Sequence, residues 1–376
     1  MPITPDQYER LAEELLSAYE DAELHMLRTI SRRLAKGVTE AGWAEEKYAE
    51  VKAVRKELQR SLKALKEQRE TLLDGVMNDA YAAGAGEFFT EAERFTNLLG
   101  IRAISPNSQK VARILADLNG SLEAGDRMIL RQADDAYADI VGRVAADMAT
   151  GTLSTREAVS KAVDEFAERG ITSFIDKAGR CWEMGSYAEM ALLTAIEKAT
   201  VAGYVDTMQS YGFDLAVISS HVGACPLCAA WQGVIISVSG RDRKYQSLDD
   251  AQASGVFHPR CRHHLSTYYE GITKNTRSKP APVKAPESAY TDRSKQRHCE
   301  RMIRKWKRRM VAATEPQNER LAFAHVRKWR NTLADLIDSS DNFLYRHYDR
   351  EGGRVKLSKA ARRLKPIVLA RGKKSS

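Results

Sequence analysis

The first hundred residues carry an apolar pattern with a helical period. Leu11, Leu15, Tyr19, Met26, Ile30 and Leu34 recur at roughly helical spacing. Thr4-Pro5-Asp6-Gln7 ahead of them is a capping box with proline at the first helical position. A second helix is expected from about Ala44 to Val76, with Val51, Val54, Leu58, Leu62, Leu65 and Leu72 as its apolar stripe. Lys, Arg, Glu and Gln fill the other positions. The stripes are narrow, which leaves two readings open: two helices packed on each other, or an exposed helical arm that docks on a partner assembly. Further helices are expected from Ser105-Pro106 to Asn119-Gly120, from the capping box Ser154-Thr155-Arg156-Glu157 to Gly170, and from Tyr187 to about Tyr204.

The texture then changes. Phe213–Ser219 and Gly233–Gly240 are β-rich, the second bounded by glycines. Residues Lys274 to Ser288 hold Pro280, Pro282 and Pro286 among Lys, Ser and Thr, a linker composition. Two amphipathic helices follow, about Asp292–Ala313 and Glu315–Asp338, and Arg362–Ser376 reads as a frayed basic end. The expected fold is mainly α with a small α+β zinc-binding unit. It divides into a helical docking region over 1–150, an α+β core over 151–273, a Pro-rich linker over 274–290 and a basic helical tail over 291–376. No internal repeat is visible.

Charge separates the two ends of the chain. Residues 274–376 hold 28 Lys+Arg against 10 Asp+Glu, a net of +18, whereas residues 1–273 carry a net of −9. A basic tail on an acidic body points to a polyanion partner, or to docking of the tail on the body itself. The densest run is Arg301-Met302-Ile303-Arg304-Lys305-Trp306-Lys307-Arg308-Arg309, with Arg327, Lys328 and Arg330 on the next helix. On a helix, Met302, Ile303, Trp306 and Met310 form the packing face. Arg301, Arg304, Lys305, Lys307, Arg308 and Arg309 spread over the remainder, a surface suited to the phosphates of double-stranded DNA without base reading. No apolar run approaches the ~20 residues that span a bilayer. The start of the sequence lacks a signal-peptide pattern, so folding in the cytoplasm of the cell that makes it is expected.

Five cysteines, Cys181, Cys225, Cys228, Cys261 and Cys299, argue against a disulfide framework. Three of them pair with histidine in His221-Val222-Gly223-Ala224-Cys225-Pro226-Leu227-Cys228 and His258-Pro259-Arg260-Cys261-Arg262-His263-His264. A C-x-x-C pair presents two sulfurs to one tetrahedral ion from a tight turn, and H-x-x-C supplies two more ligands. The set Cys225, Cys228, His258 and Cys261 has the Cys₃His composition of structural zinc sites. His221, His263 and His264 compete with His258 for the fourth position. The zincin motif H-E-x-x-H is absent, and so is the H-x-E ahead of P-C-x-x-C of nucleobase deaminases. Asp249 and Asp250 are the nearest acids in the intervening loop. The site therefore reads as closed and structural, with no catalytic residue. A redox C-x-x-C lacks the surrounding βαβ pattern.

The runs Ser219–Gly233, containing Cys225-Pro226-Leu227-Cys228, and Gly255–His263, containing His258-Pro259-Arg260-Cys261-Arg262-His263, resemble the signature of phage minor capsid proteins. More distantly they are similar to the Mu F-type head morphogenesis proteins. Asp176-Lys177-Ala178-Gly179-Arg180 ahead of Tyr187-Ala188-Glu189-Met190, and Gln296–Lys307, resemble the family's lead-in and C-terminal helix. One position departs: Leu193 precedes Thr194 where relatives tend to carry arginine. The resemblance implies a minor structural protein of a tailed phage or prophage, present in few copies at the portal vertex or inside the head. Its implied partners are portal, major capsid or scaffold proteins. It implies no reaction, and the zinc expectation comes from spacing alone. The rival reading is a zinc-dependent enzyme acting on nucleic acid, or an ejected effector; a host zinc-binding adaptor is a third.

Overall fold

The computed structural model describes residues 5–38, 42–95, 107–150, 153–169, 173–175, 181–258, 261–281, 288–342, 344–367 and 369. It is mainly helical. Two compact units are present, and neither is a continuous stretch of chain. The first comprises Met1–Leu15, Arg69–Leu122 and Ala188–Thr291; the second comprises Leu16–Gln68, Glu123–Tyr187 and Asp292–Ser376.

Helix α1 spans Pro5–Ala35 and α2 spans Trp43–Phe95. Gly37 and Gly42, at φ 71 and 80, sit between them, in the left-handed conformation that glycine reaches without steric cost. Trp43 is buried and donates its indole N–H to the Leu34 carbonyl at 3.1 Å. Leu15, Tyr19, Met26, Ile30 and Leu34 are buried, as are Val54, Leu58, Leu62 and Leu65. The stripes thus find their partners within the chain, which removes the reason for an exposed arm. Leu11 and the Thr4 cap fall outside what the structure describes. Leu72 is only half-buried; the stripe continues instead through Arg69, Leu73, Met77 and Tyr81, all buried. That sequence of four-residue steps carries α2 nineteen residues past the expected end at Val76.

Helix α3 spans Ser108–Ala149 and runs straight through Asn119-Gly120, where a stop was expected. The expected start at Ser105-Pro106 lies outside the described residues; Asn107 Oδ1 accepts from Lys110 N at 3.3 Å at the helix entrance. Leu118 and Leu122 are buried on either side of Gly120, which faces open space. Continuous burial of the stripe outweighs the ~1 kcal/mol that one glycine costs a helix. Helix α4 spans Thr155–Arg169 and opens with the expected capping box, Glu157 N donating to Ser154 Oγ and Ser154 N to Glu157 Oε2. A short hairpin not foreseen in the sequence pairs β1 (Ser173–Ile175) with β2 (Cys181–Glu183). Helix α5 spans Met184–Ser210, longer than expected at both ends.

The two β-rich runs become β3 (Leu215–Ile218) and β4 (Ile235–Ser237). Between them lies the single turn α6 (Pro226–Ala229). Then come β5 (Gln246–Ser247), α7 (Leu248–Ala253) and β6 (Leu265–Thr267). The sheet order is β5-β4-β3-β6, with β3 antiparallel to β4 and β6, and β5 parallel to β4. Ala216, Ile218, Ile236 and Leu265 bury against Phe88, Tyr204, Met208 and Trp231 in one core. Glu91 of α2 ties that core to the sheet, accepting from Tyr204 Oη at 2.6 Å and from Thr267 N at 2.9 Å. The expected linker is partly a strap on the sheet: Arg277 N donates to Gly233 O at 2.7 Å and Ile235 N to Arg277 O at 2.8 Å.

Helices α8 (Ser288–Ala312) and α9 (Pro316–Ser339) pack through Cys299, Ile303, Val326 and Leu333. A small helix α10 (Lys359–Arg363) buries Ala361 against Met310, Ala322 and Leu357. The start of the expected frayed end is therefore helical.

Candidate metal centre and basic helix

Both halves of the Cys/His motif are built from tight turns. Gly223, at φ 75, turns the chain out of β3 toward Cys225, the N-cap of α6. Pro226 takes the first helical position, where a missing N–H costs nothing. Ala229 N then donates to Cys225 O at 2.9 Å, and Cys228 N to Cys225 Sγ at 3.4 Å. One helical turn therefore points both sulfurs the same way. The second half follows α7. Phe257 holds a left-handed φ of 59, uncommon for a bulky residue, with its ring in the core. Cys261 N donates to His258 O at 2.8 Å and closes the H-x-x-C turn. Antiparallel pairing of Ile218 with Leu265, extended by Ser219 N donating to His264 O at 3.0 Å, brings the two halves side by side.

The ligand atoms converge. Cys225 Sγ lies 3.0 Å from His258 Nε2, Cys228 Sγ lies 3.6 Å from Cys261 Sγ, and Cys261 Sγ lies 3.4 Å from His263 Nδ1. Cys225, Cys228 and His258 form one group with all ligand atoms within 4.8 Å; Cys228, Cys261 and His263 form another. Cys228 is fully buried and Cys261 is 4% exposed. The shared proton raises the Cys228 thiol above its ordinary range and lowers Cys261, whose thiolate is also favoured by His263. The His221 and His263 rings lie 4.3 Å apart, tilted by 40°. His264 belongs to neither ligand group; burial, then the neighbouring His263 and His221, lower its pKa to about 4 and keep it neutral.

Sequence reasoning missed one acid here. Glu197, on α5, is 4% exposed, and burial followed by the nearby Cys261 charge raises its pKa well above the ordinary carboxylate value. Its only sequence signal is a carboxylate on an apolar stretch of helix. The two acids nearest in sequence play no part in the cluster's groups: Asp250 caps α7, accepting from Ser247 N at 2.9 Å and Ser247 Oγ at 2.7 Å, and Asp249 is exposed on the same helix.

The family model for phage minor capsid protein 2 matches residues 3–338, which include the long helices and both halves of the Cys/His motif. The chain belongs to that family. It is similar to a protein named "Structural protein" from Lactococcus phage LL-H, 29% identical over 243 residues, covering 61% of this chain and 64% of that protein. A second protein of the same printed name, from Lactococcus phage mv4, is 31% identical over 114 residues, covering 29% of this chain and 91% of its own length. No solved structure matches.

In this minor capsid family member the basic helix faces inward more than its sequence suggests. Of the six cations expected to face phosphate, Arg308 is 3% exposed and Lys307 is 6% exposed. Arg308 holds both carboxylate oxygens of Glu183, with Nη1 at 2.8 Å from Oε2. Arg309 makes the same two-pronged contact with Asp164, Nε lying 2.8 Å from Oδ1, and its guanidinium rests 4.1 Å from the Trp306 ring centre. Lys307 Nζ donates to the Gly352 and Gly353 carbonyls at 2.6 and 3.0 Å, and Arg304 donates to Arg350 O. Burial lowers the Lys307 pKa to about 8. Lys305 is half-buried, and Arg301 is the one of the six that is exposed. An open cationic face on Lys307, Arg308 and Arg309 is therefore corrected to an internal ionic layer: these side chains find carboxylates and carbonyls far away in sequence. Among the described residues, no helix is long and apolar enough to cross a membrane.

Proposed function

We propose that the chain is a structural component of the virion head, acting at the portal vertex or inside the capsid against portal, major capsid or scaffold proteins. The match of residues 3–338 to one minor capsid family carries this reading. The site chemistry agrees with it. A catalytic zinc keeps an open coordination position, whereas Cys228 and Cys261 are buried, Cys225 is half-buried, and all three sit among other candidate ligands. Mass spectrometry of purified procapsids and mature particles should find the chain in few copies in both, and particles from a deletion strain should fail in head assembly or DNA retention. Absence of the chain from particles that assemble normally sinks the assignment.

Contact with packaged DNA is retained in narrowed form. The net charge of the tail supports it; within the run Arg301–Arg309 and its companions Arg327, Lys328 and Arg330, the exposed cations are Arg301 on α8 and Arg327 on α9. Binding of duplex DNA by the full chain should weaken steeply between about 50 and 200 mM salt. Replacing Arg301 and Arg327 together by alanine should lower the magnitude of that salt slope by about 2 and leave folding intact. No affinity at low salt would mean that the charge serves internal and protein contacts only.

Glu197 is the observation that favours the rival enzyme reading, because it puts a buried carboxylate near Cys261. At 4% exposure it offers no room for a substrate, and a nuclease or deaminase assay on the purified chain should be blank.

A further inference from the structure

We propose that the chain holds one zinc ion in a closed site made by Cys225, Cys228, Cys261 and His258, with His263 outside the ligand set as hydrogen-bond donor to the Cys261 sulfur. This stands independently of where the protein sits in the virion.

Spacing alone leaves His221, His258, His263 and His264 in competition; the turns decide between them. In Cys225–Cys228 and in His258–Cys261 the N–H of the fourth residue bonds back to the first, to the Cys225 sulfur in one and to the His258 carbonyl in the other. Ala229 N and Cys228 N bond back to Cys225, and Cys261 N bonds back to His258. Each turn presents its first and fourth side chains to the other turn. The first residues meet each other, Cys225 Sγ to His258 Nε2 at 3.0 Å, and so do the fourth, Cys228 Sγ to Cys261 Sγ at 3.6 Å. Four ligands around one tetrahedral zinc with Zn–S of about 2.3 Å place their sulfurs roughly 3.8 Å apart, so the second contact already has the length of a tetrahedral edge. Phe257 sets the first. A left-handed bulky residue is strained and persists only where its surroundings fix it; here the buried ring anchors it one residue before His258.

His263 lies outside both turns, two residues beyond Cys261. Its Nδ1 is 3.4 Å from Cys261 Sγ, a length suited to an N–H donated to a thiolate. Three thiolates and one neutral imidazole leave a zinc centre with a net charge of −1. Such a centre needs donors to its sulfurs, and two are present: Cys228 N–H to Cys225, and His263 to Cys261. His263 Nε2 is buried with no hydrogen-bond partner among the described residues. The side of the ring turned to the sulfur is therefore the one that is satisfied.

The test uses the full chain, prepared without chelator and then loaded with zinc(II) or cobalt(II). Elemental analysis should give one zinc per chain, and the cobalt form should show tetrahedral ligand-field bands with thiolate charge transfer. His258→Ala should change the cobalt spectrum as water replaces nitrogen. His258→Cys should keep one metal and raise the charge-transfer intensity by about one third, the ratio of four thiolates to three. His263→Ala should keep the cobalt spectrum and lose about 10- to 100-fold in affinity. Zero or two metals per chain would overturn the proposal. So would a spectrum that changes with His263→Ala, or one that stays the same with both His258 variants. Circular dichroism of each variant keeps loss of fold separate from loss of a ligand, and His258→Cys carries the test if His258→Ala fails to fold.

Discussion

Replacing Gly84 or Gly203 by alanine should destabilise the first unit by about 3 kcal/mol or more, although alanine is the better helix former. The two glycines lie at the crossing of α2 and α5. A Cβ on Gly84 would fall on the Thr200 carbonyl oxygen, and a Cβ on Gly203 would fall on the Tyr81 carbonyl oxygen. Both obstacles are helix backbone, so no side chain can swing aside and the helices must part. Parting them pulls on the contacts that fix their register. Tyr81 Oη donates to Asp206 at 2.8 Å, Tyr204 Oη to Glu91 at 2.6 Å, and the Phe88 and Tyr204 rings meet edge to face. Gly75, in α2, has open space beside it among the described residues. Gly75→Ala should therefore be neutral or stabilising by up to ~1 kcal/mol. Denaturant unfolding of the three variants checks the contrast; equal stability of Gly84→Ala and Gly75→Ala would refute the close crossing.

Arg308→Met should cost about 3–5 kcal/mol, the range for removing one partner of a buried ion pair. The guanidinium is buried against both oxygens of Glu183, whose own side chain is 28% exposed. Methionine keeps much of the volume but leaves Glu183 charged beside an apolar group. Arg308→Met combined with Glu183→Gln should recover a large part of the loss, because the penalty lies mainly in the uncompensated charge. Thermal and denaturant unfolding of the two single variants and the double variant measure that coupling. If Arg308→Met unfolds with the wild-type midpoint, the buried pair contributes nothing. The same geometry bears on DNA. A joint replacement of Arg304, Lys305, Arg308 and Arg309 removes internal contacts of the second unit, so any drop in DNA binding would mix unfolding with lost phosphate contacts. Arg301 and Arg327 avoid that confusion.

The sequence by itself was sufficient for what depends on neighbours along the chain. The stripe Val54, Leu58, Leu62 and Leu65, the Ser154–Glu157 capping box and the packing face Ile303 and Met310 were legible because a helix brings residues three and four apart together wherever it lies. The paired turns of Cys225–Cys228 and His258–Cys261 were legible for the same reason, and so was the family, which that motif and its flanks carry. Helix length was less so. Asn119-Gly120 resembles a stop, and only the burial of Leu118 and Leu122 carries α3 through it. The tertiary structure alone decided three further matters. It chose which charges face inward, because Glu183 and Asp164 meet Arg308 and Arg309 across 125 and 145 residues of sequence. It placed Glu197 near Cys261 and set His258 against Cys225, through a strand pairing that local spacing does not encode. It also made Gly84 the point where α2 meets the backbone of α5. Each is a long-range pairing, fixed by the burial of groups that chain distance keeps apart until the whole fold closes.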